Sequence, residues 1–196
     1  MKEILVFISE EYADWEIAYV GAVINKSSKY KISTVSTKKE IVTSMCGLKV
    51  TPTYAIDEIL DNEIENFEML LLVGGHFWKK ENYENKLVKK LVDKFKHDNK
   101  IISAICDATT FLAFNGYLNE VKHTGNSLEY IISNCPNYTG KDYYIEKQSV
   151  RTELFITANG TATLEFSCEI VKSLDLESEE DIDSWYKINK NGLYSN

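Results

Sequence analysis

The stretch Lys100-Ile101-Ile102-Ser103-Ala104-Ile105-Cys106-Asp107-Ala108-Thr109-Thr110 constrains the fold of this chain more than any other. Ile101 to Ile105 is a short apolar run, the pattern of a strand buried on both faces. It stops abruptly at Cys106. Phe111 to Asn115, closed by Gly116, then reads as a helix with a glycine stop. A strand that turns sharply into a helix, with a nucleophile-capable residue at the turn, is the geometry of a nucleophile elbow. Free N–H groups and the positive end of the helix dipole would favour thiolate over thiol there. Free cysteines are also among the most buried residue types, and most are inert packing. The local pattern leaves both alternatives open; the rest of the chain has to weigh them.

The same strand-then-helix order recurs. Ile4 to Ile8 reads as a buried strand, followed by a polar turn and helical apolar spacing from Trp15 to Asn25. Tyr30 to Ser36 reads as a second strand. Ile41 to Pro52 suggests short strands or an excursion around Gly47, and Ala55 to Leu60 a helical turn. Phe67 to Val73 is a strongly apolar strand, and Asn82 to Asp98 is an amphipathic helix with Leu87, Val88, Leu91, Val92 and Phe95 on one face. Val121 to Gly125 is a short extended piece, and Asn126 is placed to cap a helix carrying Leu128, Ile131 and Ile132. Tyr138 to Val150 is expected to be a strand or hairpin at an edge, and Leu154 to Thr157 a last strand before a helix from Ala162 to Leu174.

Strands alternating with helices predict an α/β three-layer sandwich: a mostly parallel central sheet with helices on both faces. Residues 1–174 form the expected α/β domain. Residues 175–196 are an acidic tail, either a docked helix or a mobile end. In such sheets ligand sites lie beyond the carboxyl ends of the strands. Three of those ends carry unusual residues: Asp14-Trp15-Glu16, Gly74-Gly75-His76, and Cys106.

Charge narrows the function. The net charge is −8, and Arg151 is the sole arginine; that balance argues against a phosphate-backbone binder, which would need a basic face, and no nucleic-acid partner is expected. No apolar run is long enough to span a membrane, and none is expected as a partner. Met1 to Ile8 reads as a first strand, not a signal peptide. Cys46, Cys106, Cys135 and Cys168 are far apart, with no C-x-x-C pairing, and His76, His97 and His123 lack metal-ligand spacing. No metal or organic cofactor is indicated, and a reduced cytoplasm is the expected compartment.

With these pieces in place the chain resembles the ThiJ/PfpI family, part of the class I glutamine amidotransferase-like superfamily, which also holds the Parkinson-associated deglycase. The resemblance spans roughly residues 2–174. Five motifs carry it: Tyr12-Ala13-Asp14-Trp15-Glu16; Gly74-Gly75-His76-Phe77-Trp78; Ala104-Ile105-Cys106-Asp107-Ala108; His123-Thr124-Gly125-Asn126; and Asn159-Gly160-Thr161-Ala162. It implies a flavodoxin-like glutamine amidotransferase-like fold. Cys106 matches the family's elbow nucleophile, and Glu16 the acidic residue that reaches its sulfur. A carboxyl kept protonated by burial would stabilise the thiolate there. The resemblance also implies an oxyanion hole from the backbone N–H groups of Gly75 and Asp107. His123 resembles the histidine that approaches the nucleophile as general base or acid. Gly74, His76, Trp78 and Thr124 are pocket candidates, with His76 and Trp78 expected at the rim.

Plainer roles stand beside these. Glu16 also fits a solvated first-turn residue, and His123 a capping or surface histidine. Cys135 and Cys168 fit structural thiols, and Cys46, beside Gly47, a structural thiol or a second exposed one. Two departures matter. Asp107 stands where the protease-like branch carries a histidine. The stretch Thr157-Ala158-Asn159-Gly160-Thr161 offers no His-x-Glu pair, so glutamine hydrolysis is not expected. The resemblance therefore implies a cysteine-dependent hydrolase or lyase acting on a small carbonyl or amide substrate, of glyoxalase/deglycase or amidase/peptidase type. The alternatives are an oxidative-stress sensor working through Cys106 and a binding module that has lost its chemistry. A homodimer is one assembly open to the chain.

Overall fold

The computed structural model describes residues 1–78 and 82–194. Its frame is a seven-stranded sheet built from β1 (Lys2–Phe7), β2 (Tyr30–Ser36), β5 (Tyr54–Ala55), β6 (Phe67–Leu72), β7 (Ile101–Ile105), β8 (Ser149–Arg151) and β9 (Phe155–Ala158). The order is β5-β2-β1-β6-β7-β9-β8. Every pairing is parallel except that of β8, which runs antiparallel at the edge. The apolar runs seen in the sequence are thus the inner strands, and their side chains alternate between two cores, as the pleat demands. Leu5, Phe7, Leu70, Leu72, Ile102 and Ala104 fill one face; Ile4, Val6, Met69, Leu71, Ile105 and Ile156 fill the other.

Helices cover both faces, giving three layers. On the first lie α2 (Ile56–Leu60), α3 (Lys86–His97), α4 (Asp107–Phe114) and α5 (Leu128–Asn134). On the second lie α1 (Trp15–Lys26), α6 (Thr163–Ser173) and α7 (Glu179–Asn191). The stripe of α3 is as read from its spacing: Val88, Leu91, Val92 and Phe95 are buried. The helix begins four residues later than expected, because Asn85 turns its side chain back to accept from the N–H groups of Leu87 and Val88.

Three other stretches differ in detail. The Tyr138 to Val150 region contributes only the short β8; Gly140–Tyr143 is instead a 3-10 turn. Ser127, not Asn126, caps α5, accepting from the Tyr130 N–H. The excursion around Gly47 is a two-stranded hairpin, β3 (Val42–Thr43) with β4 (Lys49–Val50). Backbone bonds from Glu11 N–H to Thr43 O and from Met45 N–H to Tyr12 O pin that hairpin to the loop after β1. The acidic tail is a docked helix: the Tyr186 hydroxyl donates to Glu165, and Trp185 sits edge-on against Tyr19. Among the described residues, no helix is long and apolar enough to cross a membrane.

Candidate active site

The site lies beyond the carboxyl ends of β1, β6, β7 and β9. Cys106 is the single residue between β7 and α4, and it makes the turn at φ 59, ψ −132. That left-handed region costs a non-glycine residue about 1–3 kcal/mol. The surroundings hold it there. Its N–H donates to Ala158 O at 3.0 Å, and its carbonyl accepts from Thr109 N at 3.1 Å and Thr109 Oγ1 at 2.6 Å.

Glu16 arrives from the first turn of α1 and is only 1% exposed. Its Oε2 accepts the Gly74 N–H at 2.7 Å, and its carboxyl lies beside the Cys106 side chain. Gly74 lets the three meet. A Cβ at that position would lie 2.6 Å from Cys106 Cβ and 2.7 Å from Glu16 Oε2. Burial pushes the Glu16 carboxyl up to about 7, with the Gly74 N–H and Cys106 holding it back. Burial likewise pushes the Cys106 thiol up to about 12, and the Glu16 charge adds to it; the Asn126 amide and the Asp107 N–H oppose. The dipole argument from the sequence therefore loses at rest. A rise from 9.0 to about 12 corresponds to about 4 kcal/mol, whereas a helix terminus supplies at most ~2 kcal/mol. Burial thus disfavours the thiolate, and the Glu16 carboxyl is the titratable group beside it.

The turn that carries Gly75 is tightly held. Gly75 has φ 128, and a Cβ there would run into the Glu11 carbonyl. Bonds from Ala13 N–H to Gly74 O and from His76 N–H to Glu11 O, both 3.0 Å, hold this turn. Among the described residues the Gly75 N–H itself makes no hydrogen bond. The Asp107 N–H faces the sulfur. The Asp107 carboxylate is held elsewhere: both its oxygens accept from the Tyr83 hydroxyl at 2.8 Å.

His123 does not join the group. It is fully buried, with Nδ1 2.7 Å from Val121 O and Nε2 2.7 Å from the Tyr138 hydroxyl. Both ring nitrogens are occupied, so the expectation that His123 moves protons at Cys106 is corrected. The exposed His76 stands beside Glu11, 3.7 Å away, at the outer edge of the Gly75 turn. Trp78 is core, not rim: it is 1% exposed, its Nε1 donates to Val73 O, and its ring packs on Phe7 and Phe111. Thr124 is buried; its N–H donates to Thr157 Oγ1 and its hydroxyl to Lys147 O.

Two residues that sequence reasoning did not assign to the site belong to it. Asn126 Nδ2 lies 3.7 Å from Cys106 Sγ, and Asn126 Oδ1 accepts the Gly160 N–H at 3.0 Å. Because Gly160 needs an acceptor, the amide must turn its NH2 towards the sulfur. Gly160 has no room for a side chain; a Cβ would lie 2.8 Å from Sγ. Following the strand-end rule to a fourth end, that of β9, would have found Gly160; Asn126 lies in the loop before α5 and comes in only through its bond to the Gly160 N–H. Among the described residues no group of three or more His, Cys, Asp or Glu side chains gathers to hold a metal.

This arrangement can be set beside known proteins. The family model described as the DJ-1/PfpI family matches residues 2–173. The chain belongs to the DJ-1/PfpI family. It is 37% identical to the "Uncharacterized protease YdeA" of Bacillus subtilis, over 99% of this chain and 94% of that one. It is 35% identical to the "Uncharacterized protease YoaZ" of the same organism, over 96% and 91%. Among solved structures, the thiJ/pfpI family protein from Bacillus anthracis superposes with a TM-score of 0.87 at 34% identity, covering 96% of this chain and 90% of that one. The DJ-1/PfpI fold and the elbow sequence expected for Cys106 thus occur together in one chain.

Proposed function

We propose that this protein is a cysteine-dependent hydrolase acting on a carbonyl of the amide or ester class. The observation that carries this is the Glu16 carboxyl, buried with the Cys106 sulfur and fixed by the Gly74 N–H. A carboxyl raised to about 7 is matched to proton transfer near neutral pH. It is an adjacent base for a thiol whose ionisation burial opposes.

The chemistry follows. Glu16 takes the Cys106 proton, and the sulfur lone pair forms the C–S bond. The carbonyl π pair moves to oxygen, where the Gly75 and Asp107 N–H groups receive it. Collapse breaks the C–N or C–O bond, and Glu16 returns the proton to the departing amine or alcohol. Water, with Glu16 again as base, then cleaves the thioester and restores the thiol. Asn126 donates to the sulfur while it is anionic. His123 has no part in these steps. The protease names of two relatives agree with the amide class.

The test is a panel of p-nitrophenyl esters and peptide anilides with rapid-quench intact mass. The expected result is turnover with an acyl group on Cys106. Turnover that survives Cys106→Ala overturns the proposal.

A further inference from the structure

Asn126 also lines a cleft of about 440 Å³ between the start of α5 and the 144–148 segment. Asn159, the neighbour of Gly160, lines it as well. One wall residue, Asn126, therefore reaches the sulfur, and a second is the chain neighbour of Gly160, which packs against it. The walls are braced. Thr124 Oγ1 donates to Lys147 O at 2.8 Å, Tyr144 OH to Gly125 O at 3.2 Å, and the Asn159 amide to Gln148.

Size separates the substrate classes. Clefts that take whole organic ligands run about 300–1,000 Å³, and a three-carbon dicarbonyl would leave most of this one empty. Lining chemistry narrows it further. Glu129 and Glu146 stand against Lys147, and among the described residues none of the three forms an ion pair. Two acidic side chains against one ammonium favour a cationic chain. The rest of the lining is polar amide and hydroxyl, which suits a backbone with its own donors and acceptors.

We propose that this cleft is the subsite for a short peptide carrying a basic side chain, attached to the carbonyl that Cys106 attacks. It rests on Cys106 being the nucleophile and adds the substrate class. The cleft binds the chain, and Asn126 joins the cleft to the sulfur.

Three affinity labels test it: chloroacetamide, chloroacetyl-Ala-Lys-Ala-amide and chloroacetyl-Ala-Glu-Ala-amide. Modification of Cys106 and of exposed Cys46 is read separately by peptide mapping. The expected result is that the lysine peptide labels Cys106 with saturation, at least ten-fold more efficiently than the glutamate peptide. At Cys46 the two peptides should label at similar rates, which excludes attraction by the net charge alone. Replacing both acids, Glu129→Gln with Glu146→Gln, should erase the lysine preference at Cys106. Equal, unsaturable labelling of Cys106 by all three probes overturns the subsite and leaves the nucleophile standing, as does a preference for the glutamate peptide. Labelling of Cys46 with none at Cys106 by any probe overturns both.

Discussion

Glu16 and His123 are two buried titratable side chains whose charged forms burial disfavours, so their pKa values move in opposite directions. Burial raises the Glu16 carboxyl to about 7 and lowers the His123 imidazole below its usual 6.5. What separates them is where their hydrogen-bonding capacity goes. Glu16 meets one backbone N–H and the Cys106 sulfur. His123 has a partner on each ring nitrogen and lies edge-on to Tyr138 and Tyr144. Burial shifts a pKa at both places, but only at Glu16 does the shifted group lie beside a nucleophile with which it can exchange a proton. A strongly shifted group is thus a functional candidate only when it faces a reacting atom.

The comparison breaks first at the sulfur. Cys106→Ala should reduce ester and anilide turnover to the uncatalysed rate without lowering the melting temperature. Steady-state kinetics beside thermal unfolding checks both. Next, Glu16→Gln should cost about 10²–10⁴-fold in kcat and remove the pH limb near 7. His123→Gln should leave kcat within about three-fold per folded molecule, while losing about 1–3 kcal/mol of stability from unpaired Tyr138 and Val121 groups. If His123→Gln loses as much kcat as Glu16→Gln, the contrast is wrong.

The two sites should also oppose each other in the pH dependence of folding. Glu16 releases its proton near 4.5 when unfolded and near 7 when folded. Its contribution is present in full below pH 4.5 and is lost as pH rises through 7, on the order of 3 kcal/mol. His123 runs the other way: its contribution is present above pH 6.5 and is lost as pH falls. Urea unfolding of wild type, Glu16→Gln and His123→Gln from pH 4 to 8 should show difference slopes of opposite sign. The smallest effect is at the amide. Asn126→Ala removes a hydrogen bond worth about 1 kcal/mol, a roughly five-fold fall in the rate of Cys106 alkylation, with Cys46 alkylation as the internal reference.

The inner strands were legible because residues buried on both faces must be apolar throughout, as in Ile4 to Ile8 and Phe67 to Val73. The pairing of Glu16 with Cys106 was suggested by family motifs at two strand ends, and the structure brings those residues together. Other placements depended on partners that no local pattern announces. The role of His123 is decided by Tyr138, fifteen residues on. Trp78 follows two glycines and looks like a rim residue, yet its indole N–H finds Val73 O and its ring then fills the core. The alternation of Tyr138 to Val150 is overridden by tight packing of Gly140 against Leu118 and Asn119.

The positive φ at Cys106 has a consequence for descent. Glycine would occupy that bend with less strain than any other residue, so a lineage freed from the need to react should drift towards it. Homologues with glycine at this column would mark retired enzymes that kept the frame. Retention of cysteine there, against a standing energetic penalty, would in turn report continued selection on the sulfur.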